Sequence, residues 1–242
     1  MIDHYDWPGG REAMLRFGPA DGPVVVVAMP LFEEANRTRA FVVTILRMLA
    51  ERGIASALPD LPGQGESLVP LETVPSTDEM GLAFERAVDG FWGQGRKTYG
   101  VAFRSGALLD RLVALHGRWH FAPQNAGDLL RDLKRIKQAS LGQPLPEFWQ
   151  YPDPVLVDGP HPPVEIAGNL IAADFLTNLK VDTPLDTEDG PLRTVRLDTD
   201  PKAADRHVPG AALWRRTEPD NDLALAELLA EDIAAWVRTC EG

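Results

Sequence analysis

A hydroxyl, an imidazole and a carboxylate brought together make a nucleophile for acyl transfer, whereas a guanidinium beside a carboxylate makes an ion pair or a receptor for anions. Both sets of groups occur in this chain of 242 residues. Arg104 and Ser105 are adjacent in AFRSG, Glu33 and Glu34 in LFEEAN, and Asp198 and Asp200 lie close together in LDTDP. Phe32, Asn36, Phe103 and His161 are the candidates to line a substrate site, with Phe148, Trp149 and Tyr151 as an aromatic group that either lines an apolar acyl or glycosyl site or anchors a lid. Other chemistry is disfavoured. The single cysteine, Cys240, cannot form a disulfide within the chain or a cysteine-based zinc site, and no His-x-x-x-His or paired-carboxylate spacing suggests a metal. No glycine-rich phosphate loop follows the first long apolar run, so neither a nucleotide nor any other cofactor is expected.

These groups need elements to position them, and the apolar patterning says which. Pro23 to Ala28 (PVVVVA) is a continuous apolar run, the mark of a strand covered on both faces. In the following RTRAFVVTILRMLAERG, Phe41, Ile45, Met48 and Leu49 recur at helical spacing until Gly53 ends the helix, and Asn36 is read as its N-cap. Ile54 to Leu58 is a second strand, parallel to the first by the crossover rule. The alternation continues with a helix over Ser76 to Trp92, a strand over Lys97 to Phe103, a helix over Gly106 to His116 and a strand over Arg118 to Ala122. Further on come helices at Ala126 to Ser140 and near Leu170 to Leu179, strands at Leu192 to Leu197 and Ala211 to Arg215, and a last helix from Asp222 to Arg238. Such alternation predicts an α/β fold with a mainly parallel sheet. It is read as one domain over residues 1–242, with 124–180 as a small cap or lid over the carboxyl ends of the strands.

The strand PVVVVA, its loop, the strand IASAL and the turn Asp60-Leu61-Pro62-Gly63-Gln64-Gly65-Glu66-Ser67 follow one another as in α/β-hydrolases, which the sequence resembles. More narrowly, MPLFEEANRTR, DLPGQGES, AFRSGALL and VEIAGNLIAADFL are similar to the second type of exosortase A system-associated hydrolase, over roughly residues 24 to 180, with a looser match at LWRRTEP. The resemblance implies an α/β-hydrolase-like architecture: a mostly parallel central sheet flanked by helices, with a cap insertion. It also implies a cytoplasmic, hydrolase-like protein acting on an acylated small molecule, an ester or thioester, of exopolysaccharide or envelope metabolism.

In that fold the nucleophile stands on a sharp turn after the fifth strand, where the crowded backbone demands small residues two positions to either side. Ala102 and Gly106 meet the demand around Arg104, so the resemblance puts Arg104 at the nucleophile position. A guanidinium, with a pKa above about 12, is not a nucleophile. Centring the turn on Ser105 would instead bring Phe103 to a position that needs a small residue; the other role for Ser105 is to start the next helix. The fold's histidine follows its last strand, yet AALWRR runs into Thr217-Glu218-Pro219-Asp220; His207 precedes that strand, and His161 in the presumed lid is the histidine able to reach the site. Asp198 and Asp200 follow LRTVRL, where the acid would stand. No complete Ser-His-Asp set can be assembled.

Two readings follow. One is an enzyme in which Glu33, Glu34 or Asp198 activates a water and Arg104 stabilises the developing oxyanion. The other is a non-catalytic pseudo-hydrolase that binds an anionic ligand through Arg104, whose charge is met by Glu33 or Glu34 when no ligand is bound. Lys and Arg number 24 against 36 Asp and Glu, and the resulting net charge of −12 disfavours nucleic acid and anionic lipid as partners. No apolar run reaches the roughly 18 residues of a membrane span, which leaves a small molecule as the expected partner.

Overall fold

A strand that is apolar at every position needs cover on both faces, and the fold supplies two layers of helices to give it. The computed structural model describes residues 1–111, 113–142, 162–179 and 190–242. Its strands are β1 (Ile2–Trp7), β2 (Gly10–Phe17), β3 (Val24–Ala28), β4 (Ala55–Pro59), β5 (Thr98–Phe103), β6 (Gly117–Phe121), β7 (Val164–Ile166), β8 (Asn169–Ile171), β9 (Leu192–Leu197) and β10 (Arg206–Val208). Its helices are α1 (Glu33–Glu51), α2 (Thr77–Trp92), α3 (Ala126–Leu141), α4 (Ala173–Asn178) and α5 (Leu223–Glu241).

Eight strands form one sheet in the order β1-β2-β4-β3-β5-β6-β9-β10. From β4 to β10 all neighbours are parallel, while β1 and β2 join as an antiparallel edge. The side chains of β3 alternate between two cores: Val25 and Val27 pack with Phe41 and Ile45 of α1 and Ile233 of α5, whereas Val24, Val26 and Ala28 share a core with Phe84 of α2. Between β6 and β9 the chain inserts α3, the hairpin β7–β8 and α4. Phe175 of α4 meets the ring of Phe32 edge-on at 5.3 Å, which ties this insertion to the loop after β3. No helix among the described residues is long and apolar enough to cross a membrane.

The expected mostly parallel sheet between helices is present, and four local expectations need correction. First, β1 and β2 add an antiparallel N-terminal hairpin to the expected parallel sheet. Second, the described residues between Gly106 and His116 form no α-helix; the chain makes a short 3-10 turn over Arg104–Leu108. Arg118 competes for this segment: its guanidinium donates to the carbonyls of Asp110 (3.1 Å) and Val113 (2.6 Å), and the Asp110 oxygen is one that a helix would have used internally. Third, Ala211 to Arg215 is not a strand: Leu213–Arg215 is a 3-10 turn, and the last strand is β10, which contains His207. Fourth, α1 begins three residues before Asn36, with Phe32 at the N-cap position, so Asn36 lies within its first turns. Ser76 caps α2 as expected, its hydroxyl accepting from the Glu79 amide.

On the far side of the sheet from α2, Asp232 of α5 fastens three strands. Its carboxylate accepts from Trp119 Nε1 (2.8 Å), from Arg193 Nε and Nη2 (2.7 and 2.8 Å) and from Arg206 Nη1 (2.8 Å). Burial alone would raise its pKa, but these hydrogen bonds outweigh burial and hold it down at about 2, below the ordinary 3.8. A depressed carboxylate pKa contributes stability that is complete above the unfolded value and lost as pH falls through the folded one. Between about pH 5 and pH 2 the native chain should therefore lose roughly 2 kcal/mol more than Asp232→Asn, measured by urea unfolding. Equal losses in the two proteins would show that the clamp has no such role.

Candidate functional site

β5 runs straight into the candidate site. At its end Arg104 adopts φ 54°, a left-handed conformation that costs a non-glycine residue about 1–2 kcal/mol and marks a strained turn. The flanks meet the crowding as required. Ala102 is fully buried, and a Cβ on Gly106 would lie 2.3 Å from the Ala28 carbonyl oxygen and 2.7 Å from that of Met29. The sharp turn is therefore centred on Arg104, not on Ser105.

Ser105 is fully buried, and its Oγ accepts a hydrogen bond from the Leu31 amide at 2.9 Å, lacing the loop after β3 to the turn. Phe32 in that loop also has a positive φ, 61°, and its ring is buried against Phe175. Phe103 points into the opposite core, where it meets Phe41, Trp119 and Phe121.

Arg104 is held from several sides. Its Nε lies 3.1 Å from Glu34 Oε2 and its Nη2 3.2 Å from Glu34 Oε1, a two-pronged pair, and Asp132 of α3 stands 3.8 Å away. The guanidinium lies 4.6 Å from the centre of the Trp214 ring, close enough for a cation–π contact. Only 13% of the Arg104 side chain and 17% of the Glu34 side chain are exposed. Burial pushes the Glu34 carboxyl above its ordinary pKa, with the Arg104 charge pulling the other way.

The other sequence candidates do not converge on this pair. Glu33 turns to Arg37 (3.3 Å) and accepts from Asn36 Nδ2 (3.3 Å), so Glu34 is the partner of Arg104. Asp198 is exposed, and its place toward the site is taken by Asp200, which pairs with Arg196 at 2.7 Å. His161, Phe148, Trp149 and Tyr151 lie outside the described residues.

The described histidines are occupied elsewhere. His120 pairs with the buried Asp110 at 2.9 Å, His116 Nδ1 accepts from the Thr98 amide, and His207 Nε2 meets the carbonyls of Asp200 and Lys202, while His4 is exposed on β1. Among the described residues no group of three or more His, Cys, Asp or Glu side chains is arranged to hold a metal ion.

Arg104 and Trp214 form the inner wall of a cleft of about 330 Å³ at the carboxyl ends of the strands, bounded by one face of α3 and by the loops after β6, β9 and β10. Trp214, Asp132 and this cleft were not anticipated from sequence. The available signal was the spacing Asp128, Arg131, Asp132, Arg135, which places four charged residues on one helical face.

No family model and no curated protein matches the sequence. Solved structures do match. Est1E from Butyrivibrio proteoclasticus superposes with a TM-score of 0.62 at 13% identity, covering 99% of this chain and 98% of that one. The epoxide hydrolase VrEH1 from Vigna radiata gives 0.62 at 14% identity, with 99% and 98% covered. The bottromycin epimerase BotH, in complex with bottromycin A2, gives 0.57 at 16% identity, with 97% and 98% covered. At such identities the likeness is one of architecture and runs the length of the chain: a sheet of this order, flanked by helices and carrying a strained turn after its fifth strand, is the α/β-hydrolase fold.

Proposed function

We propose that this chain is a pseudo-hydrolase, a protein that holds a small molecule in the cleft at the ends of its strands and forms no acyl-enzyme. One observation carries the reading: the apex of the turn, where the fold presents an attacking oxygen, bears a guanidinium locked onto Glu34 and stacked on Trp214. The neighbouring hydroxyl offers no substitute. Ser105 Oγ is buried against the Leu31 amide, so that amide, from the loop that would help polarise a substrate carbonyl, already has an acceptor.

The rival reading, a water activated by Glu33, Glu34 or Asp198, needs one of these carboxylates to face the apex with a free oxygen. Both oxygens of Glu34 accept from Arg104, Glu33 is turned to Arg37, and Asp198 faces solvent. An anion bound by Arg104 itself would have to displace Glu34. The fold is not tied to hydrolysis, since one of the similar structures is an epimerase. The sequence resemblance favours an acylated molecule of exopolysaccharide or envelope metabolism as the ligand, and a cytoplasmic setting for it.

The test is direct. Purified protein is offered a fluorophosphonate probe, p-nitrophenyl acetate and a short-chain thioester; no label on Ser105 and no turnover beyond that of buffer are expected. Labelling of Ser105, or turnover of either ester above that of buffer, would sink the proposal, and Ser105→Ala would tell a serine mechanism from a water activated by a carboxylate.

A further inference from the structure

We infer that the cleft beside Arg104 is a site for a small dianion, and specifically for a phosphate monoester. This rests on the reading of the chain as a binding protein, but the charges that recognise the ligand are not that of Arg104. Six cations line the cleft against three carboxylates, and once Glu34 has neutralised Arg104 a surplus of two positive charges remains. The rest of the molecule has the opposite sign, with a net charge of −12 for the whole chain. In an acidic protein, a concavity lined by a surplus of cations runs against the overall sign and raises the local concentration of anions.

The pairing pattern shows where the surplus lies. Arg131 (2.7 Å) and Lys202 (2.9 Å) share the single carboxylate of Asp128, from opposite walls of the cleft. Arg135 (3.3 Å) shares Asp132 with Arg104. Arg196 has Asp200 to itself, and Arg215 forms no ion pair among the described residues. One uncompensated charge is therefore shared by Arg131 and Lys202, whose side chains are 63% and 55% exposed, and the other is that of Arg215, which is also exposed.

Arginine forks match phosphate oxygens in pairs, and a phosphate monoester carries close to two negative charges above its second pKa of about 6. A volume of about 330 Å³ admits a phosphate with a small organic group. Gln124, a buried residue in the lining of the cleft, has a side-chain oxygen with no hydrogen-bond partner among the described residues, while its amide nitrogen donates to Asp132 at 2.8 Å.

The test uses phenyl phosphate, a dianion at about pH 8, against phenyl sulfate, a monoanion of similar shape, by calorimetric titration of the whole chain. Phenyl phosphate should bind about tenfold more tightly than phenyl sulfate, and Arg131→Gln and Arg215→Gln should each weaken it about five- to tenfold, the loss expected for a charge-assisted hydrogen bond. Both substitutions are at exposed positions that leave the core untouched. Arg86→Gln, which removes an equal charge from α2, should leave the affinity unchanged. Equal affinity for the two ligands, no binding of either, or equal sensitivity to all three substitutions overturns the dianion site. These failures are separable from failure of the pseudo-hydrolase reading, which falls only if esters are turned over or Ser105 is labelled.

Discussion

Gly106→Ala is expected to destabilise the protein by about 3 kcal/mol, or roughly 6–12 °C in melting temperature, while Gly90→Ala stabilises it by about 0.5–1 kcal/mol. Both replace a glycine with a residue of higher helix propensity, so the opposite signs must come from space. At Gly106 the new methyl would sit 2.3 Å from the Ala28 carbonyl oxygen, and at Gly90 in α2 it meets nothing within 4 Å. The obstructing atoms at Gly106 are backbone and cannot rotate aside. Relief requires the end of β3 to move away from the turn, which strains the Ala28↔Ala102 register and the Leu31 to Ser105 hydrogen bond together. The measurement is urea unfolding of both variants, with far-UV circular dichroism to establish that Gly106→Ala folds. If Gly106→Ala were as stable as the parent protein, the sharp turn would not be centred where the φ of Arg104 puts it.

The sheet was legible because parallel strands between two helical layers must be apolar on both faces. Val24–Ala28 could hardly be anything else, and Leu192–Leu197 falls where its pattern predicted. β1 and β2 escaped notice because the edge hairpin alternates buried with exposed positions and carries charge, as at Asp3, Asp6, Arg11 and Glu12. The segment Gly106 to His116 misled for a different reason. Its composition is helical, but its carbonyls are claimed by Arg118, a partner whose approach depends on the folded position of β6. Propensity cannot register such competition.

The candidate site divides in the same way. That Arg104 occupies the apex and needs a carboxylate was readable from the small residues around it and from the cost of an unpaired buried charge. The choice of Glu34 over Glu33 was not readable, because it depends on where α1 starts. With Phe32 at the N-cap, Glu33 and Glu34 occupy adjacent places around the helix, and only Glu34 is turned toward the end of β5. Trp214 was misplaced along with the strand assigned to Ala211 to Arg215. As part of a turn after β10 it sits against the guanidinium, in the region where a hydrolase would carry its histidine.

Arg104→Ala and Glu34→Ala should each destabilise the protein by about 3 kcal/mol, and the double variant by little more than either alone. Removing one member strands the other's charge in a largely buried place, whereas removing both leaves only a lost contact and a small void. A coupling energy of about 1–3 kcal/mol in the cycle identifies the pair as an internal structural element. The backbone is held constant across the comparison, since alanine at φ 54° bears the same strain as arginine; Arg104→Gly, which relieves that strain, should be about 1 kcal/mol more stable than Arg104→Ala. The cycle also separates the two roles open to the guanidinium. With Glu34 gone, Arg104 faces the cleft with Asp132 at 3.8 Å as its remaining carboxylate, so phosphate should raise the melting temperature of Glu34→Ala more than it raises that of the parent protein. Without Arg104 that extra gain should vanish. Single variants that cost under about 0.5 kcal/mol, with no coupling, would mean that Glu34 and Arg104 are surface neighbours, and that something other than an internal ion pair keeps a guanidinium at the apex of this turn.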